Sequence, residues 1–245
     1  MSKRSLQENL IRQAKSVLRS MGWQLKKYPE SPLKRRMRIL ETRGIDLILD
    51  VGANIGQYGE HMRELGYREK IISFEPMREA FDILQARTVG DNEWESYNYG
   101  LGERDQTSII NVSQNSFSSS ILDMTNTHIK SAPASQYVDK QEIEIKQLDT
   151  VFEKVCGGKK GIMLKVDTQG FEKNVIDGAK ASLANIEVIQ LEMSILPLYQ
   201  GELLFIEMIK HLGDIGFKVV SLEDGFWDEE TGQQLQVDGL FAKMN

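Results

Sequence analysis

Four apolar runs in this sequence each close on a carboxylate: Leu47-Ile48-Leu49 on Asp50, Ile71-Ile72-Ser73-Phe74 on Glu75, Ile162-Met163-Leu164-Lys165-Val166 on Asp167, and Val188-Ile189-Gln190-Leu191 on Glu192. Carboxylates gathered at one edge of a sheet can accept hydrogen bonds from sugar hydroxyls, hold a cationic group or take up a proton. The first run is followed by Gly52-Ala53-Asn54-Ile55-Gly56 and then by a helical pattern from Gln57 to Leu65, which is how an α/β sheet opens a nucleotide site. Gly52 permits a sharp turn. Gly56 lets the helix or a ligand come close, and the free amides of the first helical turn face the crevice. Glu75 stands roughly 20 residues beyond the glycines, where a bound nucleoside presents its ribose hydroxyls.

A dinucleotide site requires Gly-x-Gly-x-x-Gly, and here the middle glycine is replaced by Asn54 and the third is missing. Asp50 places a negative charge at the strand end, which disfavours a pyrophosphate and favours a ligand with ammonium and sulfonium groups. The balance falls to S-adenosylmethionine over NAD.

The elements that must position these residues alternate. A strand at 47–51, a helix, a strand at 71–74, a helix at 77–87 and a strand at 94–99 follow one another, and the last turns through Asn98 and Leu101 at the crevice edge where an adenine would lie. Further strands are expected at 107–112, 141–147, 161–167 and 188–191, with helices at 148–155, after Phe171 to Ala184, and at 203–212. Phe217–Leu222 and Leu240–Lys243 make the last two strands. The segment joining them is too short for a crossover helix, so their pairing should be antiparallel. Residues 114–136 are Ser-rich and polar, which predicts an irregular lid containing Ser118, Ser119, Ser120 and a solvated His128. Altogether this is an α/β, Rossmann-like, mostly parallel sheet with helices on both faces.

Residues 1–38 carry 11 Lys or Arg against Glu8 and Glu30, so the net charge of −6 divides into +9 for this leader and −15 for the rest. From Leu6 to Leu25 the apolar residues Leu6, Leu10, Ala14, Val17, Leu18, Met21 and Leu25 share one helical face, and Arg4, Arg12, Lys15, Arg19 and Lys26 the adjoining one. Packing on the main domain or a second copy of the chain is the preferred role of this helix. Peripheral contact with a membrane or an anionic substrate is the alternative. Residues 1–43 are therefore expected to form a basic helical segment and 44–245 the main domain. An acidic body argues against a nucleic-acid groove. No apolar run approaches the ~20 residues of a membrane span, which points to a cytoplasmic chain. The lone Cys156 precludes an intrachain disulfide and is read as incidental.

Taken together, Asp50-Val51-Gly52-Ala53-Asn54-Ile55-Gly56, Phe74-Glu75-Pro76, Ser118 to Ser120, Leu148-Asp149, Leu164-Lys165-Val166-Asp167 with Gly170 and Glu172, and Glu192 resemble the FkbM-type methyltransferases of the class I, S-adenosylmethionine-dependent fold. The resemblance covers residues 44–195. It implies a seven-stranded sheet with the last strand antiparallel, and methylation of hydroxyls on sugars or secondary metabolites. It implies that Asp50 and the turn Gly52, Ala53, Asn54 and Gly56 hold the methionine part, Glu75 with Pro76 the ribose, Asn98 and Leu101 the adenine surround, and that Ser119 and Asp167 also border the donor. Where family members can carry Asp-x-Glu-Gly, this chain has Asp167-Thr168-Gln169-Gly170, which removes a second carboxylate.

Methyl transfer to a hydroxyl needs alignment and the removal of one proton. Asp167 is the expected general base or hydroxyl anchor, with Glu192 and His128 in reserve. No grouping has the spacing of a structural zinc site and no metal is expected, with magnesium held by Asp167, Glu192 and a substrate diol as the alternative. The acceptor is expected to be a small molecule or carbohydrate. The competing functions are an NAD-dependent oxidoreductase, opposed by Asn54, and a catalytically idle binding protein, in which the strand-end acids would share no task.

Overall fold

The structure is a computed structural model that describes residues 3–24 and 28–244; Leu25 and Lys26, expected at the end of the first helix, lie outside the described residues. The chain forms two compact units, residues 1–34 and 35–245. In the first, helix α1 (Lys3–Ser20) stops before Leu25 because Gly22 takes φ 81°, while the amides of Gly22 and Trp23 bond back to Arg19 and Leu18. That is a glycine-terminated helix end in which orphan carbonyls are satisfied. Helix α2 (Ser31–Thr42) carries the unit boundary, which falls earlier than the expected 43/44. From Arg35 onward the helix bonds to the strand Phe217–Asp224: the buried Arg36 Nη2 lies 2.5 Å from Glu223 Oε2, and the exposed Arg35 donates from Nε to Ser221 Oγ at 2.8 Å.

The larger unit continues with β1 (Leu47–Val51), α3 (Gln57–Glu64), β2 (Lys70–Phe74), α4 (Arg78–Thr88), β3 (Trp94–Tyr97), β4 (Gly100–Leu101), β5 (Gln106–Ser113) and α5 (Asn126–Ser131). It then runs through β6 (Tyr137–Lys146), α6 (Leu148–Cys156), β7 (Ile162–Val166), α7 (Glu172–Asp177), β8 (Ile186–Ser194), α8 (Phe205–Asp214), β9 (Phe217–Asp224) and β10 (Gln236–Lys243). Seven strands form one sheet in the order β3-β2-β1-β7-β8-β10-β9, in which β10 runs antiparallel to both β8 and β9. The expected seven-stranded Rossmann-like sheet with an antiparallel last strand is therefore present. Strands β4, β6 and β5 make a separate small sheet that the sequence reading did not set apart.

Alternation along each strand divides the core between the two faces. Leu47, Leu49, Val51, Leu164 and Val166 pack with residues of α6, α7 and α8, whereas Ile48, Ile71, Met163 and Val188 pack with Met62 of α3 and Phe81 and Leu84 of α4. Strands covered on both faces are normally apolar throughout. Here the four strands β2, β1, β7 and β8 carry polar residues on the second face, and the register aligns one from each: Ser73 opposite Asp50, Asp50 opposite Lys165, Lys165 opposite Gln190. A buried polar row thus crosses β2, β1, β7 and β8.

Three expectations are corrected. The helix expected to reach Ala184 stops at Asp177, since Gly178 lies so close to Gly102 that a Cβ would sit 1.8 Å from its carbonyl oxygen; the chain continues through a 3-10 turn, Ser182–Asn185. Glu192 does not end its strand, because β8 runs on to Ser194 and pairs Glu192 with Asp238 of β10. The Ser-rich stretch is not an irregular lid. It contains α5, bridges Ser120 to Asn111 and Met124 to Tyr199, and packs Met124 with Leu198, Tyr199 and Leu235. Its core partners come from far along the chain, which local composition does not reveal.

Candidate active site

The turn after β1 is built by close approach. A Cβ on Gly52 would lie 1.9 Å from the carbonyl oxygen of Asp167, and its φ of 73° is one that only glycine adopts freely. Asn54 takes φ 49°, a left-handed conformation tolerated by asparagine, and its Oδ1 accepts from the Ile55 amide. Of the two roles expected for Gly56, close approach of the helix or of a ligand, the structure shows the first. A Cβ there would strike Leu84 and Trp94, so the glycine serves the packing of α3 on the sheet.

Glu75, only 3% exposed, follows β2. Its Oε2 accepts from the Asn54 amide at 2.8 Å and its Oε1 from the Met77 amide at 2.8 Å. Burial pushes its pKa up to about 7 in spite of those two donors. Each carboxylate oxygen accepts more than one hydrogen bond, so both can still receive a hydroxyl. Asn98 does not line the crevice; its Nδ2 donates to the carbonyls of Glu75 and Pro76 and fixes the loop that carries Glu75.

A cavity of about 250 Å³ lies over these residues, bordered by Gly52, Asn54, Glu75, Pro76, Leu101 and Ser119. Asp167 and Glu192 close one end of it, and Ile143, Ile145 and Phe171 supply apolar wall that the sequence reading missed. Carboxylate and apolar wall fit an adenosine with its ribose, while the amides of residues 52–56 are all paired within the protein.

A second cavity, of about 370 Å³, lies on the other face of the β1 turn. Its border is polar: Arg36, Tyr58, His61, Lys165, Gln190 and Asp238, together with Ala53. Gly52, Gln57, Asp167 and Glu192 border both cavities. Asp50 does not reach the first cavity, because alternation turns it to the second face. There its Oδ1 lies 2.9 Å from Lys165 Nζ, and Ser73 Oγ donates to its Oδ2 at 3.2 Å. Burial disfavours the Lys165 ammonium, yet Asp50 and Asp167 outweigh it and hold the pKa above the usual lysine range.

The two acids at the junction share one clamp. Gln169 Nε2 donates to Asp167 Oδ1 and to Glu192 Oε2, both at 2.9 Å, while Tyr199 Oη donates to Gln169 Oε1 at 2.6 Å and Ser120 Oγ to its backbone carbonyl at 2.6 Å. Asp167 also lies 3.6 Å from Lys165 Nζ, with its side chain 40% exposed. Glu192 is pushed well above the ordinary carboxylate range by burial and by the neighbouring Asp167 and Asp238. The residue that replaces the family's second carboxylate is thus the bridge between two others. Glu172 braces the same loop, its Oε1 accepting from the Thr168 and Gly170 amides.

His128 is corrected from a solvated loop residue to a buried one. It borders neither cavity, its ring packs edge-on against Tyr199 at 5.1 Å, and burial lowers its pKa to about 4. Cys156 is buried, with its thiol pushed up to about 12. No group of three or more potential metal ligands occurs among the described residues, and no helix among them is long and apolar enough to cross a membrane.

Comparison with known proteins finds a family-model match, the methyltransferase FkbM domain, over residues 50–219. No curated protein matches. Among solved structures, an rRNA methylase from Streptococcus thermophilus aligns with 89% of this chain and 100% of its own, at 9% identity and a TM-score of 0.46. A 1,6-didemethyltoxoflavin-N1-methyltransferase from Burkholderia thailandensis aligns over 89% of this chain and 80% of its own, at 10% identity and a TM-score of 0.46. A protein of the NADB-Rossmann superfamily from Streptococcus agalactiae aligns over 90% and 72%, at 10% identity and a TM-score of 0.47. These likenesses are too distant to bear on what this chain methylates.

Proposed function

The chain belongs to the methyltransferase FkbM domain family and its methyl donor is S-adenosylmethionine; we propose that it methylates a hydroxyl of a sugar or of a glycosylated metabolite. The observation that carries this reading is the junction: Asp167 and Glu192 border both an apolar-walled cavity suited to a nucleoside and a polar cavity suited to a hydroxylated molecule. Bound in the first, the donor supplies a methyl group on a sulfonium, a good leaving group, so transfer requires alignment and the removal of one proton.

Glu75 would receive the ribose hydroxyls, and Gly52 and Asn54 would border the methionine part. Asp167 takes the acceptor's proton. Gln169 occupies its Oδ1 and leaves Oδ2, on the Lys165 side, to meet the hydroxyl. Burial and the neighbouring Asp167 and Asp238 push the Glu192 pKa up, and its Oε2 already accepts from Gln169 Nε2 and Gln236 Nε2. The −15 charge of residues 39–245 supports a small-molecule acceptor over a nucleic-acid backbone.

A thermal-shift experiment tests the donor assignment. At about 100 times its dissociation constant a ligand adds ~2.7 kcal/mol, which for a chain of this size raises Tm by roughly 5–11 °C. S-adenosylmethionine and S-adenosylhomocysteine should each give this rise. A rise with NAD alone overturns the reading.

A further inference from the structure

The buried polar row of the sheet continues into the second cavity, where two of its groups remain without partners. Gln190, 4% exposed, borders the cavity. Tyr58 Oη donates to its Oε1 at 3.0 Å, while its Nε2 has no hydrogen-bond partner among the described residues and stays open to the cavity. Tyr58 is itself held under the Lys165 ammonium, which lies 5.1 Å from its ring centroid. Asp238, on the neighbouring strand β10, borders the same cavity and forms no hydrogen bond or ion pair among the described residues. The nearby cations are committed elsewhere, Arg36 to Glu223 and Lys165 to Asp50.

An amide donor and a carboxylate acceptor without partners, in one cavity that leads to Asp167, present complementary halves of a site for hydroxyl groups. A hydroxyl accepts from the first and donates to the second. Leaving either group desolvated and unpaired is costly, so a site built this way discriminates sharply against a ligand lacking the hydroxyl. We propose that the second cavity binds the acceptor, and that Gln190 and Asp238 read a hydroxyl adjacent to the one presented to Asp167, so that the acceptor carries a vicinal diol on a ring. This rests on the hydroxyl-methylation reading and adds the residues that set its specificity.

The test is saturation-transfer NMR on the full chain loaded with S-adenosylhomocysteine. The probes are methyl glycosides of common hexoses, each paired with its monodeoxy analogue. Diol-bearing glycosides should show saturation transfer and their deoxy partners should bind at least about tenfold more weakly, within the 10⁴–10⁵ ceiling for sites that hydrogen-bond a hydroxyl. Gln190→Leu and Asp238→Asn should each remove that preference while leaving S-adenosylhomocysteine affinity unchanged, which shows that the fold persists. Equal binding of diol and deoxy probes overturns the proposal, as does an absence of glycoside binding. Asp238-dependent binding of an alkylammonium probe in their place also overturns it, since the carboxylates would then serve a cation. Failure of S-adenosylhomocysteine itself to bind would instead mark failure of the donor assignment.

Discussion

The two cavities share a wall at Gly52, Gln57, Asp167 and Glu192 yet are built on opposite principles. The first combines one buried carboxylate, Glu75, with apolar side chains from the small β4-β6-β5 sheet. The second is floored by the polar residues that alternation turns to the other face of the same strands. A donor with one polar edge and a flat aromatic system suits the first, and a molecule covered in hydroxyls suits the second. The difference shows how one sheet edge serves two ligands: residue parity along the strand decides which ligand a side chain meets.

The largest effect expected to sharpen this comparison comes from the junction. Asp167→Asn keeps the side-chain shape and the Gln169 contact but cannot accept a proton at neutral pH. Turnover should fall by ~10²–10⁴ with donor affinity nearly unchanged. Steady-state kinetics with a glycoside acceptor, alongside calorimetric donor titration, checks it; full turnover at saturating donor would assign the proton to Glu192 or solvent.

A smaller effect separates the cavities by pH. Glu75 titrates near 7 in the free protein, and ribose hydroxyls donating to it favour its ionised form, so donor binding expels a proton. The donor Kd should therefore fall as pH rises from 6 to 8, by at most about tenfold per unit below pH 7. Glu75→Gln should flatten the profile. A pH-independent wild-type Kd would remove Glu75 from the donor site.

The smallest effect concerns stability. Glu75 and Glu172 are raised to about 7 and Asp238 to about 6, in each case chiefly by burial. Groups with a raised folded pKa contribute stability that is complete below their unfolded value, near 4, and lost as pH rises through the folded one. The ligand-free chain should melt at lower temperature at pH 8 than at pH 5.5, by roughly 2–4 °C for each kcal/mol lost. Glu172→Gln should reduce that fall, as scanning calorimetry across the pH range would show.

Much of this was legible in the sequence because strand-end acids and glycine turns are local signals. Glu75, Gly52 and Asp167 stand where the βα alternation puts them. Asp50 differs from its expected place for a local reason too: the apolar run continues past it to Val51, and parity sends its side chain to Lys165. The second cavity was not legible because its floor needs the register of four strands and its wall needs Asp238, distant in sequence from all of them. Gln169 looked like a loss of function at a carboxylate position. Only its reach to both Asp167 and Glu192 shows it as their clamp. His128 shows the converse, a chemically suggestive residue whose partners Tyr199 and Phe226 lie far along the chain and bury it.

The division of labour between the cavities is tested most directly by calorimetric titration of S-adenosylhomocysteine into three proteins: wild type, Glu75→Ala and Asp238→Ala. Removing the acceptor for the ribose hydroxyls should cost ~1.5–3 kcal/mol, a weakening of roughly 10- to 150-fold in Glu75→Ala. Asp238→Ala should bind as tightly as wild type. Equal affinity in all three proteins, or a loss confined to Asp238→Ala, would contradict the placement of the donor in the Glu75 cavity.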